Sequence, residues 1–235
     1  MALRETGVRG RRAPMPGDVD DPRYYPESDG KPMGETERHV LQLARLLECV
    51  RLFFADDPNV HVGGNSLIYY VRGDRRRFVV PDLFVVRGVS KEERRVYLTW
   101  VEGKAPDFIL ELLSWKTERR DRTTKKRLYQ NTFRTQEYFL FDPDTRMLDG
   151  YRLDSTGRYR ALPGDSRGRL FSEVLGLTWG VDRGGWLRVY RPDGTVVPTL
   201  EEAAANLQQA TATIAAQAAE IERLNAELAR LRGPE

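Results

Sequence analysis

The chain has 235 residues, of which 40% are hydrophobic and 31% are charged, enough for one substantial domain with an appended segment. The net charge of +3 and the isoelectric point near 9.0 are compatible with nucleic-acid binding but do not require it. The single cysteine, Cys49, excludes an internal disulfide and multi-cysteine zinc sites, and two histidines are too few for a histidine-rich metal site.

Three regions are expected along the chain. Residues 1–30 are rich in proline, glycine, arginine and aspartate, which predicts a disordered, mobile tail. A compact domain is expected over residues 31–197, followed by a separate helix over residues 198–235. No stretch approaches the roughly 20 apolar residues of a membrane span, and no apolar run follows the basic N-terminus, so we expect a cytoplasmic protein without membrane contact.

The first predicted element is an amphipathic helix that begins near Gly34. Apolar residues recur at intervals of three or four and define one face of that helix: Val40, Leu43, Leu47, Val50 and Phe54. Cys49 lies near this stripe and is expected to be a small, reduced core residue. The Asp-Asp-Pro-Asn run at 56–59 ends the helix.

Short β-strands are predicted after this helix. Glycines at 63 and 64 indicate a bend or bulge within the stretch 60–70. The β-rich run 78–86 is interrupted by Pro81, which cannot donate to a β-ladder, so a bulge or sheet edge is expected there. The run 107–113 is almost continuously apolar, which predicts a central strand buried on both faces.

A polar helix is predicted from about Glu118 to Asn131, and a second buried strand over residues 137–142. Strand, helix and strand in this order predict a right-handed parallel crossover. Two hairpins are predicted further on, one around residues 155–157 and one around residues 184–185.

The last 35 residues follow a heptad pattern. Apolar residues recur every seven positions at Leu200, Leu207, Ile214, Ile221 and Leu228, and the positions three later hold Ala203, Ala210, Gln217, Leu224 and Leu231. This pattern predicts a coiled coil and a homo-oligomer, for example a dimer, that pairs through residues 199–232. Thr199 and Glu202 are typical of a capping box at the helix start. The alternative is a single helix that folds back on the domain.

Two acids in apolar surroundings are the candidates for chemistry. Glu111 lies within the predicted central strand, and Asp82 lies between apolar pairs in the run 78–86. A buried carboxylate is so unfavourable that it pairs with a cation, binds a metal or takes up a proton. Hard oxygen ligands with few histidines favour Mg²⁺ or Mn²⁺. The alternative is a structural salt bridge with Arg87, Lys104 or Lys125.

The helix that follows Glu111 supplies a basic candidate. Asp121, Lys125 and Tyr129 are spaced four residues apart and share one helix face. From there Lys125 could orient the attacking water or stabilise charge on a phosphate. The alternatives are a solvated lysine at 125, a dipole-favoured acid at 121 and a core tyrosine at 129.

These segments, taken in order, resemble the Uma-two family, which consists of restriction-endonuclease-like proteins of the PD-(D/E)xK superfamily. The resemblance is carried by Pro81-Asp82, the run 106–114, the helix residues Asp121, Lys125 and Tyr129, and the run 137–143. It extends from about Ser28 to Gln209 and so includes the segment 173–177 and part of the heptad helix. It implies an α/β (α+β) fold, a mixed sheet flanked by helices, with a metal site at a fork of the sheet.

The resemblance also implies roles for individual residues. Asp82 and Glu111 match the metal-binding acids of the family. The usual lysine of the superfamily, two residues after the glutamate, falls on Leu113, which is a departure from the pattern. The resemblance implies that Lys125 replaces that lysine.

Other candidates for these roles rank lower. Lys116 and Lys126 are weaker replacements for the missing lysine. Glu35, or else Glu37, would be an accessory acid from the first helix, and His39 on the same helix is expected to be structural or exposed. A second departure, in a loop at 132–135 where relatives carry a Gly-Val turn, leaves the site untouched.

The expected function is therefore that of a Mg²⁺- or Mn²⁺-dependent endonuclease that hydrolyses DNA phosphodiester bonds. Two alternatives stay open: a catalytically weak or inactive nucleic-acid-binding module, suggested by Leu113, and an assembly protein in which the heptad helix matters most. Trp100 and Trp115 could stack on bases, although four tryptophans in a domain of this size are typical of packing.

Overall fold

The computed structural model describes residues 18–26 and 36–232. Its helices are α1 (Glu37–Phe53), α2 (Glu118–Arg120), α3 (Lys126–Leu128) and α4 (Leu200–Arg232). Its strands are β1 (Val60–Gly63), β2 (Ile68–Tyr69), β3 (Phe78–Val79), β4 (Leu83–Arg87), β5 (Tyr97–Leu98), β6 (Phe108–Leu112), β7 (Glu137–Asp142), β8 (Met147–Leu153), β9 (Tyr159–Ala161), β10 (Leu170–Ser172), β11 (Leu177–Val181) and β12 (Leu187–Tyr190).

The largest sheet has six strands in the order β1-β4-β6-β7-β8-β9. Strands β6 and β7 run parallel, and the other neighbours in this sheet are antiparallel. Two small sheets, β3-β2-β5 and β10-β11-β12, complete the fold. The prediction of a mixed α/β fold with a parallel strand pair and a long C-terminal helix is confirmed.

The connection between β6 and β7 is one continuous helix, residues 118–133, called the crossover helix below. It alternates between α2, a π-helical turn (Asp121–Lys125), α3 and a second π-helical turn (Tyr129–Phe133). Arg134 ends it in the left-handed region, with φ of 57°. The predicted polar helix is therefore present, but its hydrogen bonding is not uniformly α-helical.

Hydrophobic residues cover both faces of the central strands, as their continuous apolar runs predict. One face of β6, with Phe108, Leu110 and Leu112, packs in a core that includes α1 and the sheet β10-β11-β12. The other face, with Ile109 and Leu113, packs with residues of the crossover helix and β2. Because side chains alternate along a strand, Glu111 points toward the second of these cores.

Helix α1 follows its predicted span, but its buried face differs from the predicted stripe. The hydroxyl of Thr36 caps its start by accepting a hydrogen bond from the His39 backbone N–H. Val40 is 53% exposed, so its assignment to the core stripe was wrong. The buried face instead includes the polar residues His39 and Gln42, which a count of apolar positions cannot detect.

The β-rich run around Pro81 forms two strands in different sheets. β3 pairs with β2, β4 pairs with β6, and the chain crosses between the sheets at residues 80–82. The break predicted at Pro81 is therefore present.

The bend predicted near residues 63–65 separates β1 from β2, and Asn65 adopts a φ of 48° there. Both predicted hairpins, β8–β9 and β11–β12, are also present.

Residues 18–26 pack against the domain, unlike the mobile tail that the sequence predicted over residues 1–30. Tyr25 is 3% exposed, its ring lies 4.5 Å from that of Tyr69, and its hydroxyl donates to the Val19 carbonyl. Asp20 pairs with Arg72 at 2.5 Å. Aromatic burial therefore anchors this segment despite its proline- and charge-rich composition.

Helix α4 leaves the domain after its first turn. The predicted capping box is present, since Glu202 N–H donates to the Thr199 hydroxyl and Thr199 N–H donates to the Glu202 carboxylate. Glu202 also pairs with Arg188 at 2.6 Å. Leu207 and Ile214 are 69% and 65% exposed, so the helix does not fold back on the domain.

Across residues 18–26 and 36–232, no helix combines the length and apolarity needed to span a membrane.

Candidate metal and active site

Asp82 and Glu111 meet where β4 and β6 pair. Leu83 lies opposite Leu110 in this antiparallel ladder, which places the two acids side by side. Each acid accepts a hydrogen bond from the other strand: Leu112 N–H donates to Asp82 Oδ2 at 2.7 Å, and Asp82 N–H lies 3.4 Å from Glu111 Oε2. The structure thus brings together the two carboxylates that the sequence singled out.

Glu111 is fully buried and is held by two side chains of the crossover helix. Lys125 Nζ donates to its Oε2 at 2.8 Å, and the Tyr129 hydroxyl donates to its Oε1 at 2.7 Å. Oε2 also accepts from the Asp82 N–H, so both of its lone pairs are engaged, whereas Oε1 keeps one lone pair for a further contact. The arrangement fixes the rotamer of Glu111 without using up its ligating capacity.

The π-turns align the helix residues that face Glu111. In a regular α-helix, a step of four residues overshoots one turn by about 40°, so residues eight apart drift by about 80°. A π-turn takes more residues per turn and reduces that drift. Asp121, Lys125 and Tyr129 are all buried on the side facing β6. Such π-turns are frequent at functional sites.

Lys125 is surrounded by oxygen atoms. Its Nζ lies 2.8 Å from Glu111, 3.1 Å from Asp121 and 3.2 Å from the Val80 carbonyl oxygen. Burial lowers the pKa of Lys125, but the carboxylates of Glu111, Asp121 and Asp82 outweigh it and raise that pKa above its ordinary value. The lysine therefore carries a positive charge in this site.

The site as a whole favours added positive charge. Burial raises the pKa of Glu111 to about 8, although the Lys125 ammonium lowers it, and the neighbouring Asp82 and Asp121 raise it further. Burial also raises the pKa of Asp121. Desolvation thus makes Glu111 and Asp121 costly to ionise beside a single lysine, and a cation would relieve that cost.

Sequence reasoning did not identify several groups that contact the site. The Val80 carbonyl and the Leu112 N–H are backbone groups that only the fold brings to Lys125 and Asp82. His39, expected to be structural or exposed, is 6% exposed and places its Nε2 3.9 Å from Asp82 Oδ1. A Cβ on Gly64 would lie 2.5 Å from the Asp82 carbonyl oxygen, so only glycine fits there.

The remaining candidates lie elsewhere. Glu35 falls outside the described residues, and Glu37 is exposed at the start of α1. Leu113 is a buried core residue. Lys126 lies 3.2 Å from the centroid of the Tyr151 ring, and Lys116 is exposed beside Trp115.

The two cations proposed as structural partners of the site bind other groups. Lys104 pairs with Asp107 at 2.8 Å, and Arg87 donates to the Val174 carbonyl. Of the candidate cations, the structure therefore brings Lys125 into contact with Glu111, whereas Arg87 and Lys104 contact other groups.

The donor set fits a magnesium-type ion and does not fit zinc. Within residues 18–26 and 36–232, no group of three or more His, Cys, Asp or Glu side chains is arranged to hold a metal. Mg²⁺ keeps several waters and is commonly bound by only one or two carboxylates, which Asp82 and Glu111 can supply. Structural zinc requires four nitrogen or sulfur ligands, and catalytic zinc requires three protein ligands.

The chain is similar to several known proteins. The Uma2 family model, described as "Putative restriction endonuclease", matches residues 15–189. "Uncharacterized protein slr1290" of Synechocystis sp. (strain ATCC 27184 / PCC 6803 / Kazusa) is 27% identical over 151 residues, which cover 63% of this chain and 75% of that protein. A crystal structure of "a putative nuclease belonging to DUF820" from Anabaena variabilis ATCC 29413 aligns with a TM-score of 0.48 and 18% identity, over 67% of this chain and 89% of that one.

The family match includes every site residue described above and stops before α4, short of the Gln209 limit expected from the resemblance. It covers about three quarters of the chain. The predicted family membership is therefore confirmed, and the chain belongs to the Uma2 family.

Proposed function

We propose that the protein is an endonuclease that hydrolyses DNA phosphodiester bonds with Mg²⁺ or Mn²⁺ held by Asp82 and Glu111. The observation that carries this proposal is the convergence of two carboxylates from adjacent strands with the ammonium of Lys125, 2.8 Å from Glu111. When bound, the cation would supply Lewis-acid polarisation of a phosphoryl oxygen and activation of water.

The side chains around the two acids have distinct proposed roles. Lys125 would place a fixed positive charge near the phosphoryl oxygens, which carry the negative charge of the transition state, a form of preorganised electrostatic stabilisation. Tyr129 and Asp121 are positioning residues, because they contact Glu111 and Lys125 at 2.7 Å and 3.1 Å respectively. His39 lies beside Asp82 and can orient its carboxylate.

The direct test is incubation of supercoiled plasmid with Mg²⁺ or Mn²⁺. We expect the wild type to nick the plasmid and Glu111→Gln to lose about 10³-fold of that activity. Calorimetric titration with Mn²⁺ provides a readout independent of cleavage, and Glu111→Gln should abolish the binding heat. An inactive wild type, or equal nicking by the variant, contradicts the proposal.

A neighbouring pair of lysines isolates the role of Lys125. Lys125→Met should reduce cleavage about 10²–10³-fold, whereas Lys126→Met should leave it unchanged because Lys126 contacts Tyr151 instead. Thermal unfolding of both variants separates loss of catalysis from loss of structure. Equal cleavage by the two folded variants would remove Lys125 from the mechanism.

A second candidate function is a nucleic-acid-binding module with weak or absent cleavage. It is favoured by Leu113, a buried leucine at the position where the superfamily carries its lysine. This candidate predicts DNA binding that weakens with salt, in the absence of any Mn²⁺ uptake. The calorimetric titration distinguishes it from the endonuclease.

We also propose that α4 pairs with α4 of a second copy. Its seam residues Leu207, Ile214, Ile221 and Leu228 are 50–69% exposed in the single chain, a stripe that a heptad partner would cover. Deletion of residues 199–235 followed by light scattering tests this pairing. A monomeric mass for both the full and the shortened chain contradicts it.

A further inference from the structure

Trp115 is an exposed tryptophan beside the candidate site. It is 85% exposed, whereas Trp179 is fully buried and stacks on Phe108 at 5.2 Å. Trp100 donates to Asp20 at 3.0 Å, and Trp186 lies between Arg38 and Arg45, at 4.7 Å and 4.2 Å. The expectation that the tryptophans serve packing therefore holds for three of them and is wrong for Trp115.

The turn that carries Trp115 is well defined by hydrogen bonds. The backbone N–H groups of Thr117 and Glu118 both donate to the Ser114 carbonyl, at 3.0 Å and 2.9 Å. The hydroxyls of Ser114 and Thr117 lie 3.1 Å apart. Because the turn orders the backbone of Trp115 before a partner binds, less conformational entropy is lost on binding.

One lysine contacts the indole, and two arginines follow on the next turn. Lys116 Nζ lies 5.4 Å from the Trp115 ring centroid. Arg119 and Arg120 are exposed on the next turn, and within the described ranges neither forms an ion pair with an acid. The nearby acids are already engaged, since Glu118 pairs with Arg122 and Asp121 pairs with Lys125. The patch of Trp115, Lys116, Arg119 and Arg120 thus suits a polyanion that also offers an aromatic face.

The patch is connected to the site by a very short segment. Trp115 follows Glu111 by four residues, so the two Cα atoms are at most about 14 Å apart. Leu113 still bonds to Phe141 in the β6–β7 ladder, which keeps the exit of the strand rigid. That span corresponds to about four stacked nucleotides of one DNA strand. One strand could therefore reach both the acids and the indole.

We propose that this patch binds single-stranded DNA, with an unpaired base stacked on Trp115 and adjacent phosphates on Lys116 and Arg119. The proposal rests on the endonuclease function above and specifies its substrate as DNA with an unpaired segment beside the scissile bond. In intact duplex the base faces are covered by their neighbours, whereas an unpaired base offers its face to an aromatic side chain.

The test is anisotropy of labelled single-stranded and duplex oligonucleotides in EDTA, which separates binding from cleavage. We expect Trp115→Ala to weaken single-strand binding about 5–100-fold and Trp115→Phe to retain most of it. Duplex binding should change by less than about 2-fold in either variant, since no stacking is lost. A 2-aminopurine base in the single strand should be quenched by wild type and not by Trp115→Ala.

A matched aromatic control and a charge variant complete the experiment. Phe171, 49% exposed on β10, should be replaceable by alanine without effect on single-strand binding. Arg119→Ala should lower the salt slope for single strands by about 0.7. Equal weakening of single-strand and duplex binding by Trp115→Ala, or no weakening, overturns the proposal and leaves the endonuclease intact. Absence of binding to either nucleic acid overturns both.

Discussion

Two fully buried glutamates lie on neighbouring parallel strands, and their surroundings differ. Glu137, at the start of β7, accepts hydrogen bonds from Arg152 at 2.9 Å, from the Glu173 N–H at 3.0 Å and from the Ser172 hydroxyl. Glu111, near the end of β6, faces Lys125 and Tyr129 and also a second acid, Asp82. Burial alone therefore does not mark a functional carboxylate.

The two glutamates differ in how fully the surrounding donors compensate their negative charge. Arginine, hydroxyl and backbone donors satisfy Glu137, and the acid joins β7 to β8 and β10, which gives it a structural role. Around Glu111 three acids share one ammonium, so the charge there is left undercompensated. A site that is poor in positive charge is suited to receive a cation, and a satisfied one is suited to hold strands together.

Identical substitutions at the two positions give the largest expected difference in stability. Glu137→Gln should lower the free energy of unfolding by about 2–3 kcal/mol, because charge-assisted hydrogen bonds are lost in a buried place. Glu111→Gln should lower it by less than about 1 kcal/mol. The reason is that removing a costly buried charge offsets the weaker contact with Lys125, which keeps Asp121 as a partner. Urea unfolding in EDTA measures both.

Glu173→Gln is the control for that experiment, since Glu173 also contacts Arg152 but its side chain is 63% exposed. A change within about 0.5 kcal/mol is expected for such an exposed pair. If Glu111→Gln proves as destabilising as Glu137→Gln, the distinction between the two glutamates fails.

Tyr129→Phe tests whether the hydrogen bond from Tyr129 positions the carboxylate of Glu111. Loss of the hydroxyl that orients the carboxylate should reduce cleavage about 10–100-fold, as for partners that orient metal ligands. Tyr159→Phe is the matched control, because its hydroxyl donates to the Thr135 carbonyl at 2.9 Å, away from the acids. Both variants should lose about 1 kcal/mol of stability. Equal cleavage by the two variants would argue against a positioning role for Tyr129.

His61 extends the comparison to a half-buried side chain that is neutral. Burial, together with the charge of Arg94, lowers the pKa of His61 to about 4, and its Nδ1 lies 3.1 Å from Arg94. The folded pKa lies below the unfolded value of 6.5. Its contribution to stability is therefore present above pH 6.5 and is lost as the pH falls toward 4. The loss should be about 1–2 kcal/mol after allowance for partial exposure.

The difference between wild type and His61→Gln isolates this contribution from other titrating groups. Urea unfolding at a series of pH values should show the wild type losing more stability than the variant between pH 6.5 and 4. Parallel losses in the two proteins would contradict a half-buried, neutral imidazole.

The sequence predicted those parts of the fold and site that depend on local patterns. The unbroken apolar run around Glu111 gave the central strand, Pro81 gave the break beside Asp82, and four-residue spacing placed Lys125 and Tyr129 on one face. All three follow from short stretches of sequence: an apolar run, a proline without a backbone N–H and a helical spacing. The coiled-coil pairing, the metal and the roles of the acids stay predictions.

Other features depend on contacts between distant residues, which periodicity does not encode. Both glutamates stand beside apolar residues, Glu137 at the start of its run and Glu111 within its own. The contacts that make Glu137 structural come from Arg152 and Ser172 on later strands. His39 reaches Asp82 because α1 packs across the sheet. Tyr25 anchors its segment through Tyr69 in a small sheet that the sequence did not predict.

Helix α4 spans 33 residues, or about 50 Å at 1.5 Å per residue. If two copies pair through it in parallel, both candidate sites lie at the same end of the paired helices. Antiparallel pairing would separate them by the length of the helix, equivalent to about 15 base pairs of duplex. Helix α4 would then set the distance between the two sites. If the proposed endonuclease function holds, the lengths of the DNA fragments released would report the orientation of the pair.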